Sequence, residues 1–174
     1  MSLHAVKWLT ATLVLAFAQG ACIKSAWARS SDRNQPMDID AGQQKGSMDD
    51  RTPTVLSGGV TIVQGTLNVA ADQAVITTAG GDISRAVLTG RPAKLKQQLD
   101  DGTPMSAAAN QVDYNLRTEI VVFTGNVSIQ QPRGSLSGQR VVYNMKTGEV
   151  NSGGQGSGRV KMRIVPRTAP QGGG

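Results

Sequence analysis

The sequence predicts an all-β protein, on three observations. Its apolar residues alternate with polar ones in short runs, β-branched residues dominate those runs, and Gly, Pro, Asn or Asp closes each of them. No stretch carries a helical apolar stripe over three turns.

Before the first such run lies a different kind of segment. Residues 1–28 have a basic start (His4, Lys7), an apolar stretch over 8–18 and the sequence Ala26-Trp27-Ala28, the pattern of an export signal. The apolar stretch is too short for a stable membrane span. Two cleavage positions remain open, after Ala28 or nearer Gly20. Cys22 offers a third reading as a lipidated cysteine, against which stands the polar Gln19 shortly before it. Cleavage after Ala28 leaves a chain without cysteine and excludes disulfides.

Removing residues 1–28 takes away Lys7 and Lys24 and no acidic residue, so 18 basic and 12 acidic groups become 16 and 12. The remaining charge, about +4, suits a soluble protein working near anionic surfaces or ligands. Both tryptophans and Phe17 leave with the signal, and Tyr114, Phe123 and Tyr143 stay. Three aromatics supply neither the girdles of an outer-membrane barrel nor the stacking platforms of a nucleic-acid protein, so no nucleic-acid partner is expected.

Residues 29–35 are polar and read as a flexible N-terminal segment, residues 36–166 as one β domain, and residues 167–174, with Pro170 and three glycines, as a disordered tail. Within the domain the runs fall at 60–63, 67–69, 74–77, 93–99, 119–123, 127–129, 140–143 and 160–165. Val112, Tyr114 and Leu116 form one face of a further strand, against Asp113 and Asn115.

A small hydroxyl residue, then Gly, then an alternating strand recurs four times. Ser57-Gly58 leads to Val60 and Ile62, Thr89-Gly90 to Ala93 and Leu95, Thr124-Gly125 to Val127 and Ile129, and Ser157-Gly158 to Val160 and Met162. A unit of that size cannot bury its own apolar face, so the repeats are expected to stack along an axis, with Ile62, Leu95 and Ile129 in one row. The glycine is expected where one strand ends and the next begins. The first strand, 36–40, and the last, 160–165, then present unpaired backbone, an invitation to head-to-tail pairing unless the polar tails fold over them.

Chemistry is mostly excluded. After the signal there is no histidine, which removes the Ser-His-Asp triad, the Cys-His pair and the common transition-metal sites, and no cofactor is expected. Asp49-Asp50 and Asp100-Asp101 read as turn residues, and the Gly-rich stretch at 153–158 lacks the lysine of a phosphate loop and precedes a strand. Glu119 and Glu149 leave a carboxylate hydrolase as one reading, although no motif points to it. The chain is therefore read as a non-enzyme. Its small and medium side chains leave two alternatives for the interior, a filled core or an apolar trough able to take acyl chains.

Gln35-Pro36-Met37-Asp38-Ile39, Val63-Gln64-Gly65-Thr66-Leu67, Ala71-Asp72, Gly90-Arg91-Pro92-Ala93 and Phe123-Thr124-Gly125-Asn126-Val127 occur in order, and together they resemble the OstA-like family of periplasmic lipopolysaccharide-transport proteins. The resemblance covers residues 35–166. It implies an antiparallel β-jellyroll of two curved stacked sheets, open at both ends. It also implies a periplasmic bridge that shields the acyl chains of lipid A on the way from inner to outer membrane. The implied partners are lipopolysaccharide, the inner-membrane component LptC, the outer-membrane receptor LptD and further copies joined head to tail.

Carried over residue by residue, the groove positions fall on Met37, Ile39, Leu95, Tyr114 and Leu116, with Leu95 replacing the family's aromatic. The edge strands for partners fall on Met37, Asp38 and Ile39 at one end and on Lys161, Met162, Arg163 and Ile164 at the other. Arg159, Lys161 and Arg163 alternate, as a solvated strand face or as contacts to phosphates or a partner's edge. A β scaffold that binds proteins through its edge strands and carries no lipid is the competing reading.

Overall fold

The computed structural model describes residues 30–47, 50–153 and 158–166. The expected signal segment, Cys22, the C-terminal tail, Asp49 and Ser157 lie outside the described residues. A short 3-10 turn, Ser30–Asn34, precedes nine strands: β1 (Met37–Lys45), β2 (Thr54–Gln64), β3 (Leu67–Ala79), β4 (Asp82–Gln98), β5 (Pro104–Asn115), β6 (Ile120–Gln131), β7 (Gly134–Asn144), β8 (Val150–Ser152) and β9 (Lys161–Ile164). They form one antiparallel meander in chain order, with β8 and β9 end to end along the free flank of β7. The sheet does not close on itself: β1 pairs only with β2, and β8 and β9 pair only with β7. The expected all-β, antiparallel, open-ended architecture is what the chain adopts.

The strands are longer than the apolar runs suggested. The runs at 67–69 and 74–77 are two ends of β3, and those at 119–123 and 127–129 belong to β6 apart from Glu119. Each long strand is interrupted near its middle by a bulge, at Ala41/Gln43, Ser57/Val60, Ala70/Gln73, Thr89/Ala93, Ala108/Gln111 and Thr124/Val127. A bulge adds unpaired residues, bends the strand and resets the alternation while hydrogen bonding resumes beyond it. Since the bulges stand side by side, the sheet bends along one line into two halves.

Three of the repeated glycines, Gly58, Gly90 and Gly125, sit on that line, within strands and not between them, which corrects the expected placement; Gly158 precedes β9, as expected. Gly125 and Asn126 have φ of 78° and 50°, a backbone region that most side chains avoid. Gly90 is required for a different reason: its φ is not positive, but a Cβ there would lie 2.6 Å from the backbone N of Ala93. The repeat unit is thus a bent hairpin, and neighbouring hairpins join by hydrogen bonds edge to edge rather than stacking face on face.

Register carries the apolar pattern across the whole sheet. Ile39 faces Ile62, and the row continues through Val69, Leu95, Ala107, Ile129 and Leu136 to Met162. The expected row of Ile62, Leu95 and Ile129 is part of it. On the other side of the bend a second inward row runs through Leu56, Ala74, Leu88, Val112, Phe123 and Val141. Full burial of an apolar side chain such as Phe123, 2% exposed, contributes roughly 1.5–3 kcal/mol. At the bend itself the buried residues are small, among them Ala93, Ala109 and Val127, where the halves converge.

Residues 32–35 make contacts at their end of the sheet. Asp32 is buried, its carboxylate accepts a hydrogen bond from the Thr66 hydroxyl, and Gln64 Nε2 donates to the Gln35 carbonyl at 3.1 Å.

Candidate lipid-binding trough

The two inward rows face a cavity of about 460 Å³ between the halves of the sheet. That lies in the range of small-molecule sites, roughly 300–1,000 Å³. One wall is built by Ile62, Leu67, Val69 and Leu95, the opposite wall by Ile76, Ala86, Leu88, Val112, Val121 and Phe123. Tyr114, Leu116, Tyr143 and Met145 close one side, and Met37 and Met105 another. The polar lining is Asp32, Gln35, Gln64, Asp82 and Gln97, and it contains no lysine or arginine. The interior is therefore filled at the bend and open beyond it, so neither sequence alternative, solid core or trough, describes it alone.

Four of the five residues expected to form a groove meet here: Met37, Leu95, Tyr114 and Leu116. Ile39 does not line the cavity. It stands at the outer end of its row, opposite Ile62 and 39% exposed, because β1 has no neighbour on its far side. Leu116 lies just past β5, in the turn before β6. Of the residues expected on the edges, Met37 is half-buried, while Asp38, Ile39, Lys161, Met162, Arg163 and Ile164 are exposed on β1 and β9.

Tyr143 and Met145 were not singled out from the sequence as site residues, yet a signal for them exists. Tyr114-Asn115-Leu116-Arg117-Thr118-Glu119 is matched by Tyr143-Asn144-Met145-Lys146-Thr147-Gly148-Glu149. In both copies the Asn side chain accepts hydrogen bonds from the backbone N–H groups two and three residues on, at 3.1 Å and 3.1 Å from Asn115 and at 2.9 Å and 3.1 Å from Asn144. This Asx turn folds the chain back so that the residue after Asn, Leu116 or Met145, reaches the trough. The preceding tyrosine enters from the strand. All three aromatics after residue 29, Tyr114, Phe123 and Tyr143, consequently line one cavity.

Burial pushes the Tyr143 phenol above its ordinary value, and the negative charge of Asp100 adds to the shift. The phenol is thus neutral at physiological pH, a weakly polar group in an apolar wall. Neither glutamate of the hydrolase reading lines the cavity; both lie in the turns after β5 and β7, where the Glu119 carbonyl accepts from the Met145 N–H at 2.8 Å. Among the aspartates expected in turns, Asp50 accepts from the Gly80 N–H at 2.6 Å and Asp101 from the Thr103 N–H at 2.8 Å. What the trough offers chemically is desolvation of an apolar ligand, with polar groups gathered at its rim.

Among the described residues no helix is long and apolar enough to cross a membrane. The Escherichia coli K12 lipopolysaccharide export system protein LptA is 33% identical over 160 residues, which cover 91% of this chain and 86% of that protein. The Haemophilus influenzae protein of the same name is 31% identical over 164 residues, 92% of this chain and 91% of the relative. The crystal structure of Pseudomonas aeruginosa LptH, described as the LptA homologous periplasmic component of the conserved lipopolysaccharide transport device, superposes with a TM-score of 0.69. The superposition has 23% identity and covers 78% of this chain and 99% of that one. The family profile described as LptA/(LptD N-terminal domain) LPS transport protein matches residues 38–149. The bent open sheet, its apolar trough and these matches agree, and the chain belongs to the LptA/LptD N-terminal family of lipopolysaccharide transport proteins.

Proposed function

We propose that this protein is a periplasmic carrier that holds the acyl chains of lipid A in the trough while lipopolysaccharide passes from inner to outer membrane. The observation that carries the reading is the cavity itself, walled by both inward rows and free of cationic side chains. Acyl chains fit such walls, whereas the anionic sugar head must stay outside, in water or against cations elsewhere. Each methylene kept from water is worth roughly 0.8 kcal/mol, so a shielded path lowers the cost of crossing an aqueous compartment. Binding and release suffice for this role, with no covalent step and no cofactor.

The open flanks of the sheet extend the proposal to assembly. β1 at one end, β8 and β9 at the other, expose backbone and side chains suited to strand addition. Further copies joined head to tail, and related domains of LptC and LptD at the two ends, would prolong the trough. Domain limits at 36–166, with an export signal before and a tail after, complete the picture. A lipid-free scaffold built by the same edges would need no trough, and the unfilled interior favours the carrier.

The test places a photo-crosslinking residue at Tyr114 in cells making lipopolysaccharide. Val122 serves as control, since it faces Asp113 on the outer side of the sheet and Asp113 is itself committed to an ion pair. A lipopolysaccharide adduct at position 114 and none at 122 is expected. An exported, folded protein that gives no adduct at 114 would overturn the carrier reading in favour of the scaffold.

A further inference from the structure

We infer that the open edges carry a charge code that sets the register and polarity of a joint between two copies of this chain, Asp38 and Asp40 of one facing Arg163 and Lys161 of the next. The inference rests on the head-to-tail part of the proposed function and adds what selects the joint.

Beside the inward row that runs from Ile39 to Met162, two outward rows cross the same half of the sheet. One begins at Asp38, passes through Asn68 and Lys96 and ends at Arg163. The other begins at Asp40, passes through Lys94 and ends at Lys161. Both outward rows therefore start on an acid and finish on a base, and all four end residues are exposed. Strand direction also fits: the meander alternates, so β9 of one copy meets β1 of the next antiparallel, as every other neighbouring pair does.

Continuing the three rows without a break puts Met162 against Ile39 on the trough side. The same register puts Arg163 against Asp38 and Lys161 against Asp40 on the outer side. Opposite charges directly across an antiparallel pair stabilise it, and like charges oppose it. A slip by one residue would set Met162 against Asp38 or Asp40, turning Ile39 outward and those acids toward the trough side. Pairing of like edges is disfavoured too: two β1 strands centred on Ile39 set Asp38 against Asp40, and two β9 strands centred on Met162 set Lys161 against Arg163. Only the unlike edges match, which yields a polar chain of copies and no closed symmetric dimer.

Sedimentation velocity on the purified protein tests this, with circular dichroism to confirm that each variant keeps its sheet. Wild type is expected to self-associate, less so as salt rises. D38K/D40K alone and K161D/R163D alone are each expected to weaken association at least about 10-fold. An equimolar mixture of the two is expected to recover it, because the basic β1 of one then meets the acidic β9 of the other. The quadruple variant should recover it within a single chain. Wild-type association that neither reversal alters, or that the mixture fails to restore, would overturn the charge code and leave the carrier untouched. A wild type that stays monomeric at every concentration would overturn the joint altogether, while the Tyr114 crosslink would still decide the carrier by itself.

Discussion

Arg85 donates to Asp113 on the outer face of the sheet, Nε to Oδ1 at 2.8 Å, one residue before Tyr114 turns into the trough. Asp113 interrupts a run of half-buried valines, Val55, Val75, Val87, Val122 and Val142, in an outer row that starts at Lys45 and ends at Asn151. The ion pair thus satisfies a carboxylate that the surrounding side chains leave partly desolvated.

The hydrogen bond from Arg85 holds the Asp113 carboxyl below its usual range, with partial burial opposing the shift and the Arg85 charge reinforcing it. The folded value lies below that of an unfolded aspartate, about 3.9. The pair therefore contributes stability at neutral pH and loses it as acid takes Asp113 through its folded value. Thermal melts of wild type and Asp113→Asn should differ by no more than a few degrees at pH 7, with wild type higher. The difference should begin to shrink below about pH 4 and close once acid has taken Asp113 through its lower folded value; one that does not shrink with acid would assign the effect to shape, not charge.

Gly90 and Gly138 separate close backbone approach from simple loss of chain freedom. A Cβ at 90 would meet Ala93 backbone at 2.6 Å, whereas one at 138 would lie an ordinary 3.7 Å from Val160 Cγ2. Gly90→Ala is expected to cost about 1–3 kcal/mol and Gly138→Ala to stay within about 0.5 kcal/mol, read from urea midpoints. Equal midpoints for the two variants would remove close approach as the reason for Gly90.

Ala86 lines the trough between Ile76 and Tyr114 in its row, and Val87 beside it points outward. Ala86→Trp should fill the cavity without unfolding the sheet. Binding of a fluorescent acyl probe is expected to weaken at least about 10-fold, equivalent to ~1.4 kcal/mol, while Val87→Trp leaves it unchanged. Probe affinity unaffected by Ala86→Trp would place the acyl site elsewhere.

Alternation made the strands legible because successive side chains of an extended backbone point to opposite faces, a property that each few residues express alone. Val112, Tyr114 and Leu116 are such a case, and their inward face was readable directly. The same locality explains what went unread. Leu67, Val69, Ala74 and Ile76 belong to one strand, but the bulge beside Ala71 and Asp72 resets the alternation, so the pattern breaks where the hydrogen bonding does not. Tyr143 and Met145 repeat Tyr114 and Leu116 at the same spacing, but only the fold brings these two turns to one end of the trough.

The all-β class, the glycine-marked repeat and the facing of most residues are legible locally along the chain, since they follow from backbone geometry acting over a few neighbours. The bend along the line of bulges, an interior that fills at the bend and stays open beyond it, and the place of Ile39 at the end of a row without lining the trough emerge only in the folded chain. Those outcomes depend on register summed over the eight strand pairings and on the volumes of side chains more than thirty residues apart. No local pattern encodes either quantity.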